Sequence, residues 1–143
     1  MTTRDLLVAL DRVLPAPPET VFEALTDPAL FAKWMGPEGS DVSVEEMNLT
    51  LGGRLAFIVE LPDGGPSFEL FGFYEEIDPP KRLVHSWAME GDDEVSAVVS
   101  DLEPHGDGTR LQLHHHGLTR PEEVGQNEAG WNHQLDRLKE LLS

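Results

Sequence analysis

The spacing of apolar and polar residues changes from one segment of the chain to the next. Residues 6–14 are rich in Val and Leu and are followed by Pro15, Pro17 and Pro18, a pattern that predicts a strand ending at the prolines. Apolar residues then recur at helical spacing on both sides of the step Thr26-Asp27-Pro28. We therefore predict two short helices, with Asp27 capping the second and Pro28 in its first turn.

The middle of the chain consists of short alternating runs separated by Gly, Pro and Asp, which is typical of an antiparallel meander. Six strands are predicted there, near residues 41–48, 53–61, 67–77, 82–89, 94–102 and 109–116.

A long helix is predicted at the C-terminal end. Thr119 and Glu122 have the spacing of a capping box. One apolar stripe follows, formed by Val124, Trp131, Leu135, Leu138 and Leu142. The stripe needs a sheet to cover it, so the order of elements predicts an α+β fold. An antiparallel sheet would wrap around one terminal helix, in a single domain over residues 1–143.

Charge and composition exclude several functions. The chain has 143 residues, with 10 Lys and Arg against 27 Asp and Glu, and a formal net charge of −17. Such a chain is poorly suited to bind nucleic acid or anionic lipid. No segment has the pattern of a signal peptide or a membrane span, which favours a cytoplasmic protein without membrane insertion. Because the chain has no Cys, disulfides and thiolate chemistry are excluded.

Six groups of residues in order along the chain resemble the AHSA1-like (activator of Hsp90 ATPase homologue) branch of the START-like, or SRPBCC, superfamily. They are Ala16 to Phe22 with Leu25 to Pro28 and Trp34; Gly52-Gly53-Arg54; Ile77 to Val84 with Trp87; Gly108 to Leu111; His115 to Leu118; and Gly130-Trp131 with Leu135 to Leu138. The resemblance implies the helix-grip fold. In that fold a curved seven-stranded antiparallel sheet grips the C-terminal helix, with an elongated cavity between them.

Strand alternation indicates which side chains face that cavity. Leu55, Phe57 and Val59 share one face of their strand, and Leu83, His85 and Trp87 share one face of theirs. The same argument turns His115 inward, together with Thr109, Leu111 and Leu113. The candidate ligand-binding residues are Trp34, Phe57, Phe71, Phe73, His85, Trp87, Leu113, His115, Asn127, Trp131 and Leu135. For each aromatic side chain, simple core packing is the alternative interpretation.

The run His114-His115-His116 does not predict a metal site, because alternation turns the middle imidazole away from its neighbours. No spacing is typical of a triad or a carboxylate pair, so no catalytic residue, metal or cofactor is predicted. Glu69 and Glu75 fit a solvated strand face. Gly130 inside the last helix suggests a close approach of that helix to the sheet or to a ligand.

A mostly apolar wall with a few polar groups favours binding of an apolar or amphipathic small molecule, lipid-like or polycyclic aromatic, without catalysis. The resemblance suggests a second hypothesis, an Hsp90 co-chaperone-like domain that binds a chaperone. Self-association as a dimer is also compatible with the sequence. A third hypothesis is a cyclase-like or hydrolase-like enzyme that uses His85 or His115.

Overall fold

The computed structural model describes residues 6–143, which form seven strands and three helices. In chain order they are β1 (Leu6–Leu14), α1 (Pro18–Thr26), α2 (Pro28–Trp34), β2 (Asp41–Met47), β3 (Arg54–Glu60), β4 (Phe68–Asp78), β5 (Arg82–Met89), β6 (Val95–His105), β7 (Gly108–Leu118) and α3 (Pro121–Leu141).

The strands form one antiparallel sheet in the order β1-β7-β6-β5-β4-β3-β2, so β1 and β2 lie at the edges. This confirms the predicted START-like fold. The strand β6 continues three residues beyond its predicted end, because Pro104 still pairs with Thr109. Only two residues then turn the chain into β7, and the first of them, Gly106, has a φ of +58° that suits glycine.

The two short helices begin and end where the sequence predicts. The side chain of Asp27 accepts hydrogen bonds from the backbone N–H groups of Ala29 and Leu30, at 2.9 and 3.1 Å. These bonds satisfy two of the N–H groups left free at the start of α2. At the end of α2, the indole Nε1–H of Trp34 donates to the carbonyl oxygen of Ala24 over 2.9 Å, which fixes α2 against α1.

Helix α3 packs on the inner face of the sheet through the second half of its length. Trp131, Leu135 and Leu138 are its buried residues, as the apolar stripe predicts. Arg12 of β1 ties the helix to the edge of the sheet, with hydrogen bonds of 2.7 Å to the side chains of Asp136 and Asn132. None of the helices in the described part of the chain is long and apolar enough to cross a membrane.

Two predictions about α3 are wrong. The N-cap is Arg120, without a side-chain cap, and the backbone N–H of Thr119 instead donates to the carboxylate of Glu94 over 2.8 Å. Thr119 therefore belongs to a contact with the loop before β6. Gly130 is exposed, and a Cβ placed on it would have no neighbouring atom within 4 Å. It does not permit a close approach.

We expect Gly130→Ala to raise the free energy of unfolding by about 0.5–1 kcal/mol, because alanine has less backbone freedom to lose on entering a helix. Gly125→Ala is a matched substitution, since its Cβ also meets open space. Urea denaturation of both variants measures the effect. Destabilisation by Gly130→Ala would contradict the assignment of position 130 to an unobstructed helix face.

Candidate ligand-binding site

Most of the predicted site residues lie between the sheet and α3. The buried ones are Trp34, Phe57, His85, Leu113, His115, Trp131 and Leu135. Trp87 and Asn127 are half-buried beside them. Alternation along β3, β5 and β7 thus identified the inner face correctly, including the inward position of His115.

Phe71 and Phe73 lie on the opposite face of the sheet, and we leave them out of the site. Phe57 faces α3 and pairs with Leu70, so Leu70 is the inward residue of β4 and Phe71 points to the other side. The guanidinium of Arg54 lies 5.5 Å from the centre of the Phe71 ring, and Phe73 is 45% exposed. Their hydrophobicity alone did not reveal which face they occupy.

An aromatic cluster occupies the centre of the space under α3. The rings of Trp87 and Trp131 have centroids 5.5 Å apart, and the centroid of the Phe57 ring lies 5.7 Å from that of Trp87. The imidazole of His115 lies about equally far from both indoles, at 6.1 and 6.2 Å. Within residues 6–143, these contacts interrupt the elongated cavity that the family resemblance implies and divide it into two spaces.

The first space, the inner cavity, lies between the sheet, α2 and the buried half of α3. Its volume is about 20 Å³, which is room for about one water molecule. Residues from all three layers line it, among them Phe31, Trp34, His85, Ser100, Trp131 and Leu135.

The second space, the outer pocket, lies between the sheet and the first half of α3 and is open to solvent. Its volume is about 330 Å³. Eight of its thirteen lining residues are polar or charged, among them Ser96, His115 and Asn127, and the apolar remainder includes Leu70, Trp87 and Leu118.

The sequence of residues 15–143 matches the family model described as Activator of Hsp90 ATPase homolog 1-like protein. The chain belongs to the AHSA1-like family. No curated protein matches the sequence at a significant level.

Solved structures share the architecture of this AHSA1-like domain. Protein CV1439 from Chromobacterium violaceum is 28% identical, with a TM-score of 0.87 over 96% of each chain. The AHSA1-like protein from Aeromonas hydrophila is 24% identical, with a TM-score of 0.78, over 94% of this chain and 90% of the other. DynU16, from the dynemicin biosynthetic locus, is 28% identical, with a TM-score of 0.78. The match covers 97% of this chain and 48% of DynU16.

A directional chain of hydrogen bonds crosses the wall between the two spaces of the AHSA1-like domain. An indole N–H is only a donor, so the 3.1 Å bond from Trp131 Nε1 makes His115 Nδ1 an acceptor. In the neutral ring the proton is then on Nε2, which donates to Ser96 Oγ over 2.7 Å. Ser96 donates in turn to the carbonyl oxygen of Trp87 over 3.2 Å.

These directions decide what His115 and Ser96 can do chemically. A serine nucleophile needs an unprotonated imidazole nitrogen beside its hydroxyl. Here the nitrogen beside Ser96 carries the proton, so His115 is not placed as a general base for that hydroxyl. Burial lowers the pKa of His115 to about 4, with a further contribution from His85, which keeps the ring neutral near pH 7. The arrangement serves to hold Trp131 and Trp87 in position.

Two carboxyl groups form part of the rim of the outer pocket. Glu94 Oε2 and Glu123 Oε1 are buried and have no hydrogen-bond donor among residues 6–143. The backbone N–H of Thr119 lowers the pKa of Glu94, whereas burial and the neighbouring Glu94 raise the pKa of Glu123. Arg120 lies 3.8 and 3.4 Å from the two carboxyl groups. The two half-buried carboxyl groups and Arg120 therefore form a charged cluster at the mouth of the outer pocket.

Sequence reasoning missed several polar residues of the site. Ser96 and Ser100 lie two residues before and two residues after the buried Val98 on β6, so all three share one face of the strand. The argument used for His115 could therefore have placed both serines inward. Tyr74 is 2% exposed and contacts His85 edge to face, with ring centroids 6.0 Å apart. No sequence signal predicts the proximity of Glu94 and Glu123, because their contact joins the loop before β6 to the start of α3.

Proposed function

We propose that this AHSA1-like domain binds an apolar or amphipathic small molecule, lipid-like or polycyclic aromatic, in the outer pocket. The observation that carries the proposal is an open pocket of about 330 Å³ between the sheet and the first half of α3, with the Trp87 ring in its wall. Small-molecule sites occupy roughly 300–1,000 Å³ and combine an apolar wall with a few polar groups. The outer pocket lies at the small end of this volume range, and its lining is more polar than that of a typical site, which favours an amphipathic ligand over a purely apolar one.

The distribution of polarity supports an amphipathic ligand. Leu70, Trp87 and Leu118 provide apolar surface on the wall, and Glu94 and Arg120 provide charge at the rim. Burial of an apolar body against the wall supplies affinity of roughly 25 cal/mol per Å² of buried apolar area, before the cost of association. The polar end of the ligand would remain at the rim, in contact with solvent.

The first half of α3 supports access to the site. Most of its residues from Pro121 to Gly130 are exposed, and Trp131 is the first buried residue of the helix. Few packing contacts oppose a movement of this segment, and local opening follows the density of such contacts. A ligand larger than the pocket could enter by displacing the segment.

A titration with the uncharged fluorophore N-phenyl-1-naphthylamine tests the proposal. We expect the probe to bind the native protein and Asn127→Trp to weaken binding at least about tenfold, because the larger side chain fills a pocket that Asn127 lines. Glu128→Trp is the matched control, since Glu128 is exposed on the same helix turn and does not line the pocket. Native mass spectrometry of the purified protein complements the titration by detecting a retained ligand.

Two results would contradict the proposal. One is the absence of both a retained mass and a binder across a panel of fatty acids, sterols and polycyclic aromatics. The other is equal loss of binding in Asn127→Trp and Glu128→Trp, which would place the probe outside the outer pocket.

A further inference from the structure

Three side chains on the inner face of the sheet each have a polar atom with no hydrogen-bond partner among residues 6–143. The hydroxyl of Tyr74 on β4 is buried and has no partner among residues 6–143. An unpaired buried polar group costs roughly 1–3 kcal/mol, so its persistence requires an explanation. Burial raises the pKa of this phenol to about 12, which keeps it protonated and able to donate near neutral pH.

The second group is the imidazole of His85 on β5, which lines the inner cavity. Its Nδ1 lies 3.0 Å from the carbonyl oxygen of Ser86, which is only an acceptor, so Nδ1 carries a proton. Burial lowers the pKa of His85, so the ring is neutral and Nε2 is unprotonated. Among residues 6–143 no donor contacts Nε2, which leaves it as a free acceptor.

The third group is the hydroxyl of Ser100 on β6, which also lines the inner cavity and makes no side-chain hydrogen bond within the described part of the chain. The register brings the three groups together. Tyr74 pairs directly with His85, and Ser100 pairs with Leu83, the next inward residue of β5. A donor, an acceptor and a hydroxyl that can do both thus lie on the same face of three adjacent strands. His85 and Ser100 line the inner cavity, and Tyr74 lies beyond its wall, in contact with His85.

We propose that Tyr74, His85 and Ser100 form an anchor for a neutral hydroxyl group at the inner end of an apolar ligand. A hydroxyl matches the anchor because it donates to His85 Nε2 and accepts from Tyr74 or Ser100. A carboxylate is excluded, since it would face the lone pair of Nε2 in a place with no cation. An ammonium group is excluded by the cost of burying an unpaired charge.

We expect one water molecule to fill this role in the unliganded protein. The inner cavity of about 20 Å³ has room for one water, and a buried water needs two to four polar partners, of which His85 and Ser100 in the cavity wall supply two. The contact between Trp87 and Trp131 separates the anchor from the outer pocket. A ligand that spans both spaces must therefore part these two rings, and its hydroxyl replaces the water.

This inference rests on the proposed function and specifies the ligand class. Four probes that share the naphthalene ring and differ only in the group at position 2 test which functional group the anchor prefers. They are naphthalene, 2-naphthol, 2-methoxynaphthalene and 2-naphthoate. We expect 2-naphthol to bind about tenfold more tightly than naphthalene, which is the discrimination that one well-paired buried group provides. 2-Methoxynaphthalene cannot donate to His85 and should bind no better than naphthalene, and 2-naphthoate should bind more weakly than 2-naphthol. Isothermal calorimetry measures the four affinities.

Tyr74→Phe and Ser100→Ala test the anchor residues. Each is expected to reduce the advantage of 2-naphthol over naphthalene severalfold. Tyr74→Phe should leave the thermal midpoint unchanged or raise it, because the phenol hydroxyl has no partner to lose. A ligand contact is thus distinguished from a structural role, which would lower the midpoint.

The results separate failure of the anchor from failure of the proposed function. Equal affinity for naphthalene and 2-naphthol, with both sensitive to Asn127→Trp, would overturn the anchor and leave the outer pocket as a ligand site. An advantage of 2-naphthol that survives both Tyr74→Phe and Ser100→Ala would also overturn it. No binding of any probe, fluorophore included, would overturn both.

Discussion

Leu135→Ala is expected to lower the free energy of unfolding by about 2–5 kcal/mol, the usual cost of removing a buried leucine side chain from a packed core. Leu135 is 1% exposed and lies on the face of α3 that covers the sheet. It also lines the inner cavity, so the truncation enlarges an existing space. The cost is therefore expected in the upper part of the range. Urea denaturation measures it.

Leu135→Met serves as the matched control, because it conserves volume and should cost less than about 1.5 kcal/mol. Glu128→Ala on the exposed face of the same helix should change stability by less than about 0.5 kcal/mol. If Leu135→Ala were as mild as Glu128→Ala, the packing of α3 on the sheet would be wrong.

Acidification from about pH 7 to about pH 5 is expected to remove about 2 kcal/mol of stability through His115 alone. Its pKa is about 4 in the folded protein and about 6.5 in an unfolded chain. The unfolded state binds more protons between these values, so stability is complete above pH 6.5 and falls as the pH drops toward 4. The physical cause is a buried neutral ring whose Nδ1 already accepts from Trp131.

Comparison with His115→Asn isolates this contribution. The variant is expected to be less stable than the native protein at pH 7, but its loss of stability between pH 7 and pH 5 should be smaller by about 2 kcal/mol. Denaturation curves at a series of pH values give both slopes. Identical slopes in the two proteins would show that His115 is not buried as a neutral ring. His85 adds a change of the same sign, because burial lowers its pKa too.

The secondary structure was predictable because most of its signals are local. Prolines end β1, Asp27 caps α2, and the alternation of β3, β5 and β7 identifies their inward faces. The prediction at Thr119 failed because a long-range contact with Glu94 competes with a local cap. Local sequence patterns indicate which structures a segment can form in isolation. Tertiary contacts then determine which of these structures the folded protein contains.

The site was less predictable than the fold. Alternation turned His115 inward, but it could not show that the ring would bridge Trp131 and Ser96. Phe57 and Phe71 are both phenylalanines in predicted strands, yet the register of β3 against β4 places them on opposite faces of the sheet. Strand pairing joins segments that are distant in the sequence, so the register cannot be inferred from either segment alone.

The order of elements, the apolar stripe of α3 and the family resemblance follow from the amino-acid sequence alone, because periodicity and turn chemistry are properties of consecutive residues. Tertiary packing brings Trp87 and Trp131 into contact and divides the space under the helix into a nearly filled cavity and an open pocket. It also determines which polar groups remain unpaired there. Volumes and unpaired groups depend on side chains from several strands and a helix, which come together only when the chain has folded.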